Sequence, residues 1–195
     1  LLAQQLSLAT ARRQRQQLRT LPLPARQQLS AAFTRALPFE LTGAQMHAWQ
    51  EISADLGKPH PMRRLLQGDV GSGKTVVAAL ACLQAIENGL QAAFMAPTEI
   101  LAEQHYRKLA QPLSALGVRC AWLSGSQRKS ARSAAWQAIA AGEVDLAFGT
   151  HALFQEAGRF ARLGLAVVDE QHRFGVGQRL ALMEKGNEPH QLMMS

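Results

Sequence analysis

Residues 67–75 read QGDVGSGKT: three glycines among small residues, closing on an adjacent lysine and threonine. Gly68, four residues, then Gly73, Lys74 and Thr75 meet the spacing of a phosphate-binding loop. Glycines let backbone amides close around an anion, and a helix beginning at once adds unpaired N–H groups and partial positive charge. In such a loop Asp69, Val70, Gly71 and Ser72 form the cradle and Lys74 reaches the β- and γ-phosphates. The Thr75 hydroxyl takes a place on Mg²⁺. The competing reading, an ordinary glycine-rich turn, is opposed by the setting between an aliphatic run and a helical pattern.

A second stretch, Leu165-Ala166-Val167-Val168-Asp169-Glu170-Gln171-His172, runs four apolar residues into two carboxylates. This describes a buried strand that delivers acids to the edge where the phosphate loop lies. Adjacent carboxylates are expensive to bury without cations, so Mg²⁺ and its waters are the natural compensation. Asp169 would hold the metal, and Glu170 would orient and deprotonate the water that attacks the γ-phosphate. Asp-Glu as a helix N-terminal charge pair is the alternative.

The elements that must position these groups alternate along the chain. Strands are expected at Arg64 to Gln67, Ala92 to Ala96, Arg119 to Leu123, Val144 to Phe148 and Leu165 to Val168. Helices are expected at 74–88, 98–110 and 128–141. This βαβ order implies an α/β domain with a mainly parallel sheet covered on both faces, and ligands beyond the C-terminal strand ends.

The net charge of +7 is unevenly placed: Arg12, Arg13, Arg15, Arg19, Arg26 and Arg35 all precede the first acid, Glu40. Residues 1–38 therefore read as a basic helical connector ahead of a domain at 39–195. Leu2, Leu6 and Ala9 lie on one stripe, Leu21-Pro22-Leu23-Pro24 interrupts, and 25–37 form a second short helix. The arginines serve either as the solvated face of a tether or as phosphate contacts. Cys82 and Cys120 lie far apart, with no ligand spacing around them, and read as buried thiols. No stretch approaches the apolar length of a membrane span, and the missing initiator methionine suggests a piece of a longer protein.

Asp169-Glu170-Gln171-His172 resembles the DExH motif of superfamily 2 helicases, and Arg173-Phe174-Gly175-Val176 continues it as in the RecG-like family of DNA branch-migration helicases. Ala96-Pro97-Thr98-Glu99-Ile100-Leu101-Ala102-Glu103-Gln104 is similar to that family's motif Ia, and Gly149-Thr150-His151 to motif Ib. The resemblance covers nearly the whole chain; PriA-like and transcription-repair coupling factor-like translocases share much of the set.

The resemblance implies a RecA-like P-loop NTPase lobe, the first of two, using ATP and Mg²⁺. It implies adenine recognition by Phe39 and Gln45, although Thr42 and Gln45 are also at capping-box spacing. It implies a nucleotide-side role for His172 and DNA contacts at Thr98, Gly125 and Thr150, hydroxyls and an amide that could equally be ordinary helix caps. Trp49, Trp122 and Trp136 read as core rather than base-stacking platforms.

The implied whole is a monomeric, cytoplasmic bacterial enzyme that acts on forked or branched duplex DNA. Its second lobe, with the arginine fingers, and an upstream wedge domain would lie outside these residues. A P-loop small-molecule kinase is the other enzymatic reading, one that would not need Glu170 as a water activator. A nucleotide- or DNA-binding module without turnover is the non-enzymatic reading.

Overall fold

The computed structural model describes residues 19–150, 159–170 and 189–195. Six parallel strands form one sheet: β1 (Arg63–Leu66), β2 (Gln91–Met95), β3 (Cys120–Leu123), β4 (Leu146–Gly149), β5 (Leu163–Val168) and β6 (His190–Met194), in the order β1-β6-β5-β2-β4-β3. The helices are α1 (Gln28–Ala36), α2 (Gly43–Leu56), α3 (Lys74–Glu87), α4 (Glu99–Ser114) and α5 (Lys129–Ala140).

Period-2 alternation divides each strand between two apolar layers. Ala92, Phe94, Leu165 and Val167 join one layer, while Ala93, Met95, Ala166 and Val168 join the other. On the first face α3 crosses β2 and β5, with α1 and α2 packed against its outer side. Every residue of α3 from Val76 to Ala85 is buried, which is why its sequence is apolar all round. Leu109 and Leu113 of α4 complete that layer, and Ile139 of α5 fills the opposite one.

Two local features have clear causes. The β2–β5 register shifts between Gln91 and Ala92, where a Cβ on Gly164 would lie 2.7 Å from the Leu90 side chain. The Gln91 side chain stitches this irregularity, donating to the carbonyls of Ile139 (2.9 Å) and Val144 (2.7 Å) and accepting from Arg162 N (3.0 Å). Helix α4 runs past the expected end at 110, through Pro112 to Ser114. Pro112 removes one backbone donor, and the burial of Leu109 and Leu113 on either side holds the last turn.

The strand and helix expectations match five strands and three helices to within a few residues at their ends. Strand β6 was not expected, and it lies between β1 and β5. The segment read as a connector packs, from residue 20 on, against the helices and the sheet. Leu23 and Phe33 are each 1% exposed within the same core as α3 and the sheet. Leu23 N donates to Leu56 O (2.8 Å), Gln84 Nε2 donates to Leu23 O (2.6 Å), and Leu29 N donates to the Glu87 carboxylate. Position 38 is therefore not a break in packing. Residues 1–18, with Arg12, Arg13 and Arg15, lie outside the described residues.

Trp49 is buried, while Trp122, beside Tyr106 (centroids 5.7 Å apart), and Trp136, edge-on to Phe160 at 5.9 Å, are half-buried and packed against the core. Cys82 is fully buried and its thiol is pushed far up by desolvation. Cys120 is only half-buried, with its thiol raised to about 11, again mainly by desolvation. Among the described residues, no helix is long and apolar enough to cross a membrane.

Candidate nucleotide and nucleic-acid site

Because every strand points the same way, the loops that follow β1, β2, β3, β4 and β5 gather at one sheet edge. The phosphate-loop candidate follows β1 and is anchored there by its neighbour in the sheet. Gly68 N donates to Ser195 O (3.2 Å) and Ser195 N to Leu66 O (3.1 Å). Gly71 and Gly73 adopt φ of +85° and +81°, a region that glycine enters without steric cost. Gly73 is also the N-cap of α3 and supplies no side-chain cap, so protein side chains leave the first-turn amides to another acceptor. A Cβ at Gly73 would meet Gln45 Nε2 at 2.3 Å, and one at Gly68 would meet Ser72 Oγ at 2.7 Å.

Lys74 folds back over this loop, donating from Nζ to the carbonyls of Gly68 and Asp69, the latter at 2.9 Å. An ammonium held by neutral carbonyls would gain more from an anionic partner. Thr75 sits half-buried in the first turn of α3, while Val70 at the loop tip is 102% exposed.

Gln45 is engaged on both sides of its amide. Oε1 accepts from Thr42 N (2.9 Å), Thr42 Oγ1 accepts from Gln45 N (3.2 Å), and Nε2 donates to Ser72 O (2.8 Å). The capping box is thus formed, and the same side chain braces the phosphate loop. Phe39 is 49% exposed and lines an open cleft with Pro38, Glu40, Leu41 and Met46.

The acids arrive at the end of β5. Asp169 N donates to Met95 O (2.8 Å), which extends the β2–β5 pairing by one residue. Glu170 then turns out of the sheet at φ +51°, its N–H held by Asp169 Oδ1 (3.0 Å). Left-handed backbone at a non-glycine residue costs on the order of 1 kcal/mol and directs this side chain away from the strand's alternation. Asp169 Oδ2 meets His105 Nε2 at 2.7 Å, a contact that sequence reasoning missed. A lone histidine inside a helix gives no signal of such a partner. Residue 172 lies outside the described residues.

The hydroxyls over β2, β3 and β4 differ in exposure: Thr98 and Ser126 are exposed, Ser124 and Thr150 buried. Thr98 caps α4, accepting from Leu101 N at 3.3 Å, and Thr150 is buried. Gly125 is exposed, but its loop is pinned by Glu99, whose carboxylate accepts from Ser126 N (3.2 Å). Hydrogen bonds from the Ser124 and then the Ser126 side chains hold that carboxyl below its ordinary range. This bridge between the start of α4 and the 124–126 loop was also not foreseen.

The whole arrangement, a phosphate loop after β1 and paired acids after β5 of a parallel sheet, has a counterpart among known sequences. Residues 42–194 match the family described as DEAD/DEAH box helicase. The chain belongs to that helicase family. Within it, the chain is 51% identical over 199 residues to ATP-dependent DNA helicase RecG of Escherichia coli (strain K12), covering 100% of this chain and 29% of that protein. It is 47% identical over 191 residues to ATP-dependent DNA helicase RecG of Thermotoga maritima, covering 98% of this chain and 24% of the relative. The solved structure of RecG bound to a three-way DNA junction superposes with a TM-score of 0.87 at 44% identity, covering 98% of this chain and 26% of that one. The chain therefore spans less than a third of the length of these relatives, and its fold is the RecA-like helicase fold of that structure.

Proposed function

We propose that this chain is the ATP-binding motor lobe of a DNA helicase that couples ATP hydrolysis to branch migration and to remodelling of stalled forks and recombination junctions. The observation that carries the reading is the convergence at one sheet edge of the Gly68–Thr75 loop with Asp169 and Glu170. Support for the substrate comes from the relatives named above, one of them bound to a three-way DNA junction.

In this reading the loop amides and Lys74 anchor the β- and γ-phosphates, and Lys74 exchanges its carbonyl partners for them. Phe39 and Gln45 face the adenine side. Thr75 and Asp169 offer hard oxygen donors of the kind Mg²⁺ selects. Among the described residues no cluster of three or more His, Cys, Asp or Glu side chains would hold a metal unaided, which suits an ion whose remaining ligands are phosphate oxygens and water. When bound, Mg²⁺ neutralises charge developing on the phosphates. Glu170 orients the attacking water and takes its proton, and the same reading assigns His172 a nucleotide-side role. Thr98, Gly125 and Thr150 would meet the DNA backbone. Thr98 accepts from Leu101 N in its cap, which leaves its hydroxyl proton able to donate to a phosphate oxygen. The partners are branched DNA and, within the same protein, a second lobe and a wedge domain.

The test is steady-state phosphate release by this chain with and without forked DNA. Very slow turnover is expected, since an arginine finger, which the helicase resemblance assigns to the second lobe, is worth on the order of 10³ to 10⁵ in rate. Turnover on the scale of about 1 to 100 s⁻¹, abolished by Glu170→Gln, would show that one lobe suffices and overturn this division of labour.

A further inference from the structure

Asp169 is held by a residue of α4, which no part of the phosphate chemistry above uses. His105 Nε2 lies 2.7 Å from Asp169 Oδ2, with the two side chains 14% and 13% exposed. An ionised carboxylate only accepts hydrogen bonds, so the imidazole proton is assigned to Nε2. The ring rests on Phe94, centroids 4.8 Å apart and planes inclined by 44°, and Phe94 in turn stacks on Phe148 at 5.6 Å. The imidazole is therefore fixed by packing before it meets the acid.

We propose that His105 is a positioning residue that fixes the Asp169 carboxylate for a divalent cation; this rests on the nucleotide-site reading above. An aspartate's terminal torsion is broad and roughly two-fold, so an unrestrained carboxylate samples many orientations. Here Oδ2 is held by His105 and Oδ1 by Glu170 N (3.0 Å). Each oxygen has two lone pairs, so one donor apiece leaves acceptor capacity on both. The same two bonds tie Glu170, whose left-handed turn depends on Asp169 Oδ1, to the orientation that His105 sets. The topology accounts for the placement. β2 and β5 are neighbours, Met95 O receives Asp169 N, and the helix that follows β2 packs on β4 and β3 with its second turn reaching the acid at the end of β5. Partners of this outer kind typically alter metal affinity about 10- to 100-fold when removed.

The experiment measures, by calorimetry, how the affinity for a non-hydrolysable ATP analogue depends on Mg²⁺ concentration. The proteins are the wild type, His105→Phe, His105→Gln and Asp169→Asn. Phenylalanine keeps a ring on the Phe94 shelf without a donor, whereas glutamine keeps an N–H donor without the ring. The half-maximal Mg²⁺ concentration is expected to rise about tenfold or more in His105→Phe. Affinity measured without Mg²⁺ is expected to stay near the wild-type value, and His105→Gln to recover most of the Mg²⁺ effect. A wild-type Mg²⁺ dependence in His105→Phe, or a His105→Gln variant as impaired as His105→Phe, would overturn the proposal. Asp169→Asn separates the two levels: if it leaves the Mg²⁺ dependence unchanged, the metal-ligand reading of Asp169 fails, and the role of His105 fails with it.

Discussion

At the scale of single residues, the interior polar groups specify how segments meet. His190, at the start of β6, accepts from Met62 N at Nδ1 (3.1 Å) and donates from Nε2 to Leu21 O (3.2 Å). That pattern needs the neutral ring, and desolvation by burial lowers its pKa below 6.5, outweighing the Leu21 carbonyl, which acts to raise it. The unfolded chain therefore takes up the proton more readily than the folded one. The stability that His190 supports is complete above the unfolded pKa near 6.5 and is lost as pH falls toward the folded value. Urea unfolding of the wild type should be nearly independent of pH from about 8 to 7 and weaken from about 6.5 to 5.5. In His190→Gln the weakening in the lower interval should shrink, whatever the variant's overall stability; an unchanged slope would place the acid sensitivity elsewhere. None of this was legible in the sequence, where His190 is one histidine of six. The Gly68–Thr75 loop was legible as a candidate phosphate site, because such chemistry needs contiguous residues at fixed spacing. His105 and Glu99 were not, since their partners Asp169 and Ser126 are 64 and 27 residues away.

At the scale of elements, periodicity found what packs on one face or two. The largely apolar α3 and the short, mainly apolar strands β2, β4 and β5 carry their burial in their composition. Helix α1 does not, because only Ser30 and Phe33 of its nine residues are buried and its neighbours are proline-rich. Strand β6 follows a polar stretch and holds only Leu192, Met193 and Met194 as apolar residues, yet it sits between two strands. The placement of α1 makes a definite claim: the segment before residue 39 stabilises the lobe. Phe33→Ala should reduce unfolding free energy by about 3 to 5 kcal/mol, the usual cost of emptying a buried phenylalanine site. An independent tether would leave the denaturation midpoint unchanged. Arg64, which bridges Glu51 (2.5 Å) and Asp55 between β1 and α2, is half-exposed and contributes less.

At the scale of the whole molecule, one sheet edge is divided between two tasks. The loops of β1 and β5 hold cationic and acidic groups suited to a nucleoside triphosphate, and those of β2, β3 and β4 hold small hydroxyls and amides around Thr98, Gly125 and Thr150. Helix α4 touches both halves, through Thr98 and Glu99 at its start and His105 further along. In the proposed function that arrangement would let nucleotide state be felt where DNA is held. All of it depends on the Gly68–Thr75 loop accepting phosphate. The direct measurement is calorimetric titration of the wild type and Lys74→Ala with ADP and Mg²⁺. A charge-assisted phosphate contact is worth about 1.5 to 3 kcal/mol, so the variant should bind roughly 10- to 150-fold more weakly. Equal affinity in the two proteins would contradict the account, because the loop would then not be the phosphate site.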